Sequence, residues 1–177
     1  MSENVCNINH KFGPYVKDKE GITTRKCYCC NYYNSWEKIG EDIEEAIRRQ
    51  DDVSYFASLL INKNINFSSS DDYVTMMKYI HDDINYLYLD IDSQDKLIER
   101  ANGYNNALNG EDKEKYNVVD NTLKYFKLYF AKENYERKNG FDSFPEEEVM
   151  ELDLLYDNIN NGFENVINRN EKNHLSK

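Results

Sequence analysis

The sequence is poor in proline, glycine and long apolar runs, and each shortage excludes a class of protein. Only Pro14 and Pro145 occur among the 177 residues, so most of the chain is open to long helices. The seven glycines form neither a G-x-G-x-x-G nor a G-K-[ST] pattern, which excludes the usual phosphate-binding loops. No apolar run reaches the roughly 18 residues that a membrane span needs. The first residues, MSENVCNINHKFG, lack the apolar segment of a secretory signal, so we expect a cytoplasmic protein of a bacterial host.

Net positive charge is confined to the N-terminal part. The chain carries 22 basic and 33 acidic residues, a net charge of −11. Residues 1–36 hold five basic residues (Lys11, Lys17, Lys19, Arg25 and Lys26) against three acidic ones, which leaves −13 for residues 37–177. Phosphate groups repel such a body, so the charge disfavours direct nucleic-acid binding by it and favours a partner protein with a basic surface. Solubility alone is the simpler explanation of net charge.

All four cysteines fall within the first thirty residues, beside a histidine. Cys6 and His10 form one close pair, and Cys27 and Cys30 form a second pair after a gap that accommodates one hairpin. Thiolates and imidazoles arriving in pairs are typical of a tetrahedral zinc site, and a reducing compartment favours metal over disulfides. We therefore predict a structural zinc ion held by Cys6, His10, Cys27 and Cys30, with Cys29 as a possible substitute ligand.

This segment resembles the zinc-ribbon or zinc-knuckle modules at the N-termini of small bacterial and phage proteins. The matching residues are Cys6, His10-Lys11-Phe12-Gly13, Cys27 and Cys30, whereas Asn31 stands where glycine is usual. The resemblance covers only residues 1–36. It implies a metal-bound β-module but no activity, because such modules bind nucleic acid, bind proteins or support a neighbouring domain.

After Trp36 the apolar residues recur at helical spacing. Ile39, Ile43 and Ile47 indicate a first helix, and segments around residues 53–60, 70–87, 97–108 and 119–130 indicate four more. The last helix is expected to start at Ser143-Phe144-Pro145-Glu146 and to continue beyond Val166. We predict a mainly α protein: a zinc-bound β-hairpin over residues 1–36, an acidic bundle of five or six helices over 37–170, and a frayed tail over 171–177. The hairpin is expected to pack on the bundle through Phe12, Tyr15, Tyr33 and Trp36.

Acidic doublets and tyrosines are the features of the helical part that point to a partner. Fifteen tyrosines occur, several of them off the apolar seams, among them Tyr125 and Tyr129, and tyrosine is enriched at protein interfaces. The acidic doublets are explained more simply as solvated helix faces. The tyrosines are explained more simply as partly buried core residues. The candidate partner-binding residues are Glu44, Glu45, Asp51, Asp52, Asp71, Asp72, Asp82, Asp83, Tyr86 and Tyr88.

No catalytic cluster is evident. His81-Asp82-Asp83 is compatible with a metal-dependent hydrolase, but the only other histidines are His10 and His174, so we interpret His81 as a surface or boundary residue. We predict a protein without enzymatic activity.

Size, acidity and a composition rich in residues of AT-rich codons make the chain similar in character to anti-CRISPR inhibitors of phages and mobile elements. Its predicted function is to inhibit a host nucleic-acid-handling defence protein by occupying a basic surface. The alternative is a zinc-ribbon regulator or accessory factor whose N-terminal basic residues contact nucleic acid.

Overall fold

The computed structural model describes residues 13–17, 19, 23–26, 33–35, 43–62, 70–140 and 142–175. Helices make up 81% of the residues described, which confirms the mainly α prediction. None of these helices is long and apolar enough to cross a membrane. The elements in chain order are β1 (Val16–Lys17), β2 (Thr23–Lys26), β3 (Tyr33–Ser35), α1 (Ile43–Ile61), α2 (Ser70–Asp82), a 3-10 turn (Ile84–Tyr86), α3 (Ile91–Leu108), α4 (Lys113–Asn139) and α5 (Glu146–Leu175).

The first two predicted helices are one continuous helix, α1. The polar run Arg48–Asp52 between them contains no helix breaker and occupies a little more than one turn. Ala46 and Val53, seven residues apart, both lie on the buried face with 1% exposure. Separate helices were therefore the wrong prediction, and five helices are described.

Capping contacts mark several of the helix ends. The Asp90 carboxylate accepts a hydrogen bond from Ser93 N at the start of α3, and Asp112 does the same for Lys115 N at the start of α4. Gly140 ends α4 with a φ of 106°, a conformation that glycine adopts without strain. α5 begins directly after Pro145, as predicted, and continues to Leu175 through the expected tail boundary at residue 170. The division of the chain into three parts stays a prediction.

The core lies where α4 packs against α2, α3 and α5. Its fully buried side chains include Leu60, Met77, Leu97, Phe126 and Phe163, one from each of the five helices. Gly162 permits α5 to approach α4 closely, because a Cβ atom at this position would lie 2.9 Å from Val118 Cγ2. This central packing leaves the outer sides of α1 and α2 available to line a surface groove.

The N-terminal strands form an antiparallel sheet in the order β1-β2-β3. Tyr15 is 9% exposed and joins the sheet to α1: its backbone N–H donates to Gln50 Oε1 at 2.9 Å, and Gln50 Nε2 donates to Tyr15 O at 3.2 Å. The packing of a zinc-bound hairpin on the bundle stays a prediction. Phe12, Trp36 and the Tyr33 side chain, the other predicted packing residues, lie outside the described part of the chain.

Candidate binding groove between α1 and α2

α1 and α2 run antiparallel and leave an open groove of about 550 Å³ between their outer sides. The antiparallel direction follows from the cross-helix contacts, since Arg49 faces Asp83 while Phe56, two turns further along α1, faces Tyr79. The groove is lined by Arg48, Arg49, Asp52, Val53, Phe56, Tyr79, Asp82 and Asp83. Its lining combines an apolar floor with charged side chains of both signs, as ligand-binding clefts do.

Three aromatic rings form a continuous row at one end of the groove. The rings of Phe56 and Tyr79 stack with centroids 5.2 Å apart and an interplanar angle of 11°, and Tyr55 lies 5.8 Å from Phe56. Tyr55 is 60% exposed and Tyr79 51%. Tyr55, Phe56 and Tyr79, called the aromatic row below, thus keep a large apolar area in water. Such area at low conformational cost is characteristic of interface residues.

The opposite end of the groove holds two arginines that donate to acidic side chains of α1. Glu45 accepts hydrogen bonds from both Arg48 and Arg49, and Arg48 Nη1 also donates to Asp52 at 3.2 Å. The hydrogen bond from Arg48 is the main cause of the lowered pKa of Glu45. The Arg49 guanidinium also lies over the Tyr86 ring, 5.7 Å from its centroid. These arginines are therefore held by acids of the protein itself.

Asp82 and Asp83 are adjacent in sequence but lie in opposite electrostatic situations. Partial burial acts to raise the pKa of Asp82, but hydrogen bonds from His81 and Lys78 outweigh it, so the pKa is lowered. Burial also raises the pKa of Asp83. Arg49, whose Nη1 lies 4.0 Å away, offsets this rise only in part, and repulsion from Asp82 adds to it. The net pKa of Asp83 is raised, so its charge is incompletely compensated.

This contrast predicts opposite effects on stability. At pH 7 we expect Asp82→Asn to lower the free energy of unfolding by about 1 kcal/mol, because two charged hydrogen bonds are weakened. Asp83→Asn should be neutral or raise it by a few tenths, because an uncompensated charge is removed. Urea denaturation at several pH values checks both.

The pH dependence follows from the direction of each pKa shift. The contribution of Asp82 is present above its unfolded pKa, about 3.9, and is lost as the pH falls through its lower folded value. The cost of ionised Asp83 disappears as the pH falls through its raised folded pKa. A clear destabilisation by Asp83→Asn at pH 7 would contradict this account.

The predicted partner-binding residues do not share one face. Asp52, Asp82 and Asp83 line the groove, and Glu45 and Tyr86 adjoin it through Arg49. Asp71 lies at the other end of α2, roughly 16 Å along the helix axis from Asp82, and pairs with the buried Lys115. Asp72 begins the same helix, Tyr88 follows the 3-10 turn, and Glu44 and Asp51 are exposed on α1.

Sequence reasoning missed three residues that line the groove, Arg48, Arg49 and Tyr79, and treated Phe56 only as core. It also missed Tyr55, which adjoins the groove through Phe56. The available signal was that Tyr55 and Tyr79 stand off the apolar seam of their helices. The same signal misled at Tyr125 and Tyr129, which are only 5% and 8% exposed and belong to the core. Their placement off the apolar seam was wrong, because α5 and the 3-10 segment cover them.

His81 is fully buried, so its interpretation as a surface or boundary residue was wrong. Its ring stacks on Tyr156 of α5 at 4.3 Å and meets Tyr125 edge-on at 5.4 Å. Nδ1 lies 3.3 Å from Asp82 Oδ1, and Nε2 has no hydrogen-bond partner among the residues described. An enclosed imidazole of this kind is not an accessible ligand for a hydrolytic metal.

The predicted zinc ligands Cys6, His10, Cys27 and Cys30, and the possible substitute Cys29, lie outside the described residues. The paired strands around them are informative, however. Residues 27–32 connect β2 to β3, which are antiparallel with Lys26 opposite Tyr33. Gly13 N donates to Lys26 O at 2.8 Å, so Gly13 lies beside the end of β2. Within the described part of the chain, no group of three or more His, Cys, Asp or Glu side chains is arranged to hold a metal.

Comparisons with family models, curated proteins and solved structures found no match to this chain. The resemblance of residues 1–36 to zinc-ribbon modules stays a prediction.

Proposed function

We propose that this protein is a non-enzymatic binding protein that engages a basic surface of a partner protein through the groove between α1 and α2. The observation that carries the proposal is the aromatic row, with Tyr55 and Tyr79 more than half exposed, at a groove that the carboxylates of Asp82 and Asp83 also line. Exposed aromatic side chains supply contact area, and neighbouring acids select for positive charge.

The sign of the charge favours a protein partner over a nucleic acid. The net charge of −13 on residues 37–177 repels phosphate, and the two groove arginines already donate to Glu45 and Asp52. A basic protein surface meets both conditions, because long-range attraction would speed its approach and the groove would then provide short-range contacts.

The partner class that this chemistry favours is a protein that handles nucleic acid, because such proteins present basic channels. Occupation of such a channel would block it, and the function would then be inhibition of a host defence protein in the manner of anti-CRISPR inhibitors. The N-terminal module would contribute a structural zinc ion held by Cys6, His10, Cys27 and Cys30. The pairing of β2 with β3 around residues 27–32 supports this, because a hairpin loop is a common position for a Cys-x2-Cys pair.

The test is affinity capture from the lysate of a low-GC bacterium with the purified, zinc-loaded protein, with and without nuclease and at two salt concentrations. We expect one nuclease-resistant partner that itself binds nucleic acid, and its capture should weaken strongly at the higher salt concentration. The double variant Tyr79→Ala/Asp83→Lys should lose the partner. The matched variant Tyr135→Ala/Asp92→Lys, which changes an exposed tyrosine of α4 and an exposed aspartate of α3, should retain it.

Two results would contradict the proposal. Recovery of nuclease-sensitive material alone would favour the zinc-ribbon regulator, and charge reversal at Lys17 and Lys26 should then abolish the binding. Equal loss of the partner in both double variants would show that net charge, and not the groove, holds it.

A further inference from the structure

The groove contains a carboxylate that lacks a hydrogen-bond donor within the described part of the chain, whereas its arginines have carboxylate partners. Arg48 and Arg49 direct their donors to Glu45 and Asp52. By contrast, no group in the described residues donates a hydrogen bond to the Asp83 carboxylate, whose nearest cationic atom, Arg49 Nη1, is 4.0 Å away. The side chain of Asp83 is only 26% exposed, so water replaces those missing donors incompletely. The raised pKa of Asp83 has the same cause. A ligand that satisfies this site is therefore a cation and not an anion.

The second requirement is set by the aromatic row. Phe56 covers one face of the Tyr79 ring, yet 51% of Tyr79 remains exposed. Val53, 1% exposed, forms an apolar floor between this ring and the carboxylates. A cation that fits must lay an apolar or planar surface on the ring and direct donors to a carboxylate about one helical turn away, since Asp83 directly follows α2 and its backbone N–H donates to Tyr79 O at 3.2 Å.

Of the two cationic side chains, arginine meets both requirements better than lysine. A guanidinium group is planar, is weakly hydrated, stacks on aromatic rings and presents a fork of donors to a carboxylate, whereas an ammonium group is compact and strongly hydrated. The protein repeats this arrangement internally, with Arg49 over Tyr86 beside Asp83 and with Arg25 over Tyr15 at 4.9 Å.

We infer that the groove between α1 and α2 takes an arginine side chain of the partner, stacked on Tyr79 and hydrogen-bonded to Asp83. The inference rests on the proposed function and deepens it, because it names the group of the basic surface that the groove selects. Arginine recognition would distinguish this binding from the general attraction of an acidic protein for any cation.

The test uses two peptides of equal charge, one of alternating glycine and arginine and one of alternating glycine and lysine. Each is titrated into the full-length, ¹⁵N-labelled protein, with backbone amide shifts as the measurement. We expect the shifts to concentrate at residues 52–56 and 79–83 and the arginine peptide to bind about threefold to fivefold more tightly, the size of one exposed cation–π contact.

The variants separate the two contacts. Tyr79→Ala should remove the preference for arginine, while Tyr79→Phe should keep it because the ring remains. Asp83→Asn should weaken the arginine peptide by about fivefold. The matched variants Tyr135→Ala and Asp92→Asn should change its affinity less than about twofold, and thermal unfolding shows whether each variant is folded.

Equal affinity for both peptides, shifts spread over other acidic surfaces, or equal losses in the control variants would overturn the inference. If the capture experiment still yields a partner that depends on the groove, the proposed function stands and only the arginine preference fails. If the arginine peptide binds selectively but no partner protein is captured, the groove chemistry stands and the proposed function fails.

Discussion

Removal of zinc is expected to melt the three-stranded sheet while α1–α5 remain folded. The sheet comprises three short strands, and the contacts described between it and the helices centre on Tyr15 and Gln50. Structural zinc supplies roughly 10 to 16 kcal/mol in small modules of comparable kind, far more than this one contact. The expected signs are the loss of amide protection at Thr24 and Arg25 and nearly unchanged helical circular dichroism.

Elemental analysis and two cysteine variants make the zinc prediction specific. We expect about one zinc ion per chain, which is lost in Cys27→Ser and retained in Cys29→Ser, because Cys27 is a predicted ligand and Cys29 is not. Protein purified without metal that still protects the β-strand amides would refute the zinc prediction. Loss of zinc in Cys29→Ser with retention in Cys30→Ser would instead exchange the roles of those two cysteines.

The second large effect is expected at Phe163, the aromatic side chain through which α5 enters the core. Phe163 is fully buried, and its ring lies 5.7 Å from that of His81 on α2. Phe163→Ala should lower the free energy of unfolding by about 3 to 5 kcal/mol through lost burial and the cavity left behind. This is a large part of the roughly 5 to 15 kcal/mol typical of a whole domain. Urea denaturation followed by circular dichroism provides the measurement.

Leu154 offers a matched control on the same helix. Leu154 is 65% exposed, so Leu154→Ala should change the free energy of unfolding by less than about 0.5 kcal/mol. A loss below 1 kcal/mol for Phe163→Ala, or equal losses for both variants, would show that α5 does not pack on α2 and α4 as described.

Asp83 is the residue at which the expected effect on stability and the proposed binding coincide. Its partly buried carboxylate, with Arg49 4.0 Å away, costs the folded protein free energy at neutral pH. The same carboxylate is the group that a partner's cation would satisfy. A residue that is neutral or unfavourable for folding but needed for binding is a common sign of a functional site. Asp82, the preceding residue, differs because Lys78 and His81 compensate its negative charge and lower its pKa.

The sequence alone determined the features that depend on neighbours along the chain. The spacing of Val149, Leu152, Ile159 and Phe163 predicted the last helix, and Leu152, Ile159 and Phe163 are indeed buried. Gly140 marks the end of α4, because the positive φ adopted there favours glycine. These features were predictable because periodicity and capping act within a few residues.

The tertiary structure decided which of these surfaces meet. Local pattern could not show that Tyr156, 75 residues after His81, would cover that histidine, or that Tyr125 would be buried while Tyr79 stayed exposed. It also could not show that Asp82 and Asp83 would join Asp52 in one groove while Asp71 turned to Lys115. The physical reason is that the apolar pattern of a helix determines which of its faces is buried. Which other helix covers that face is determined by packing between residues far apart in sequence.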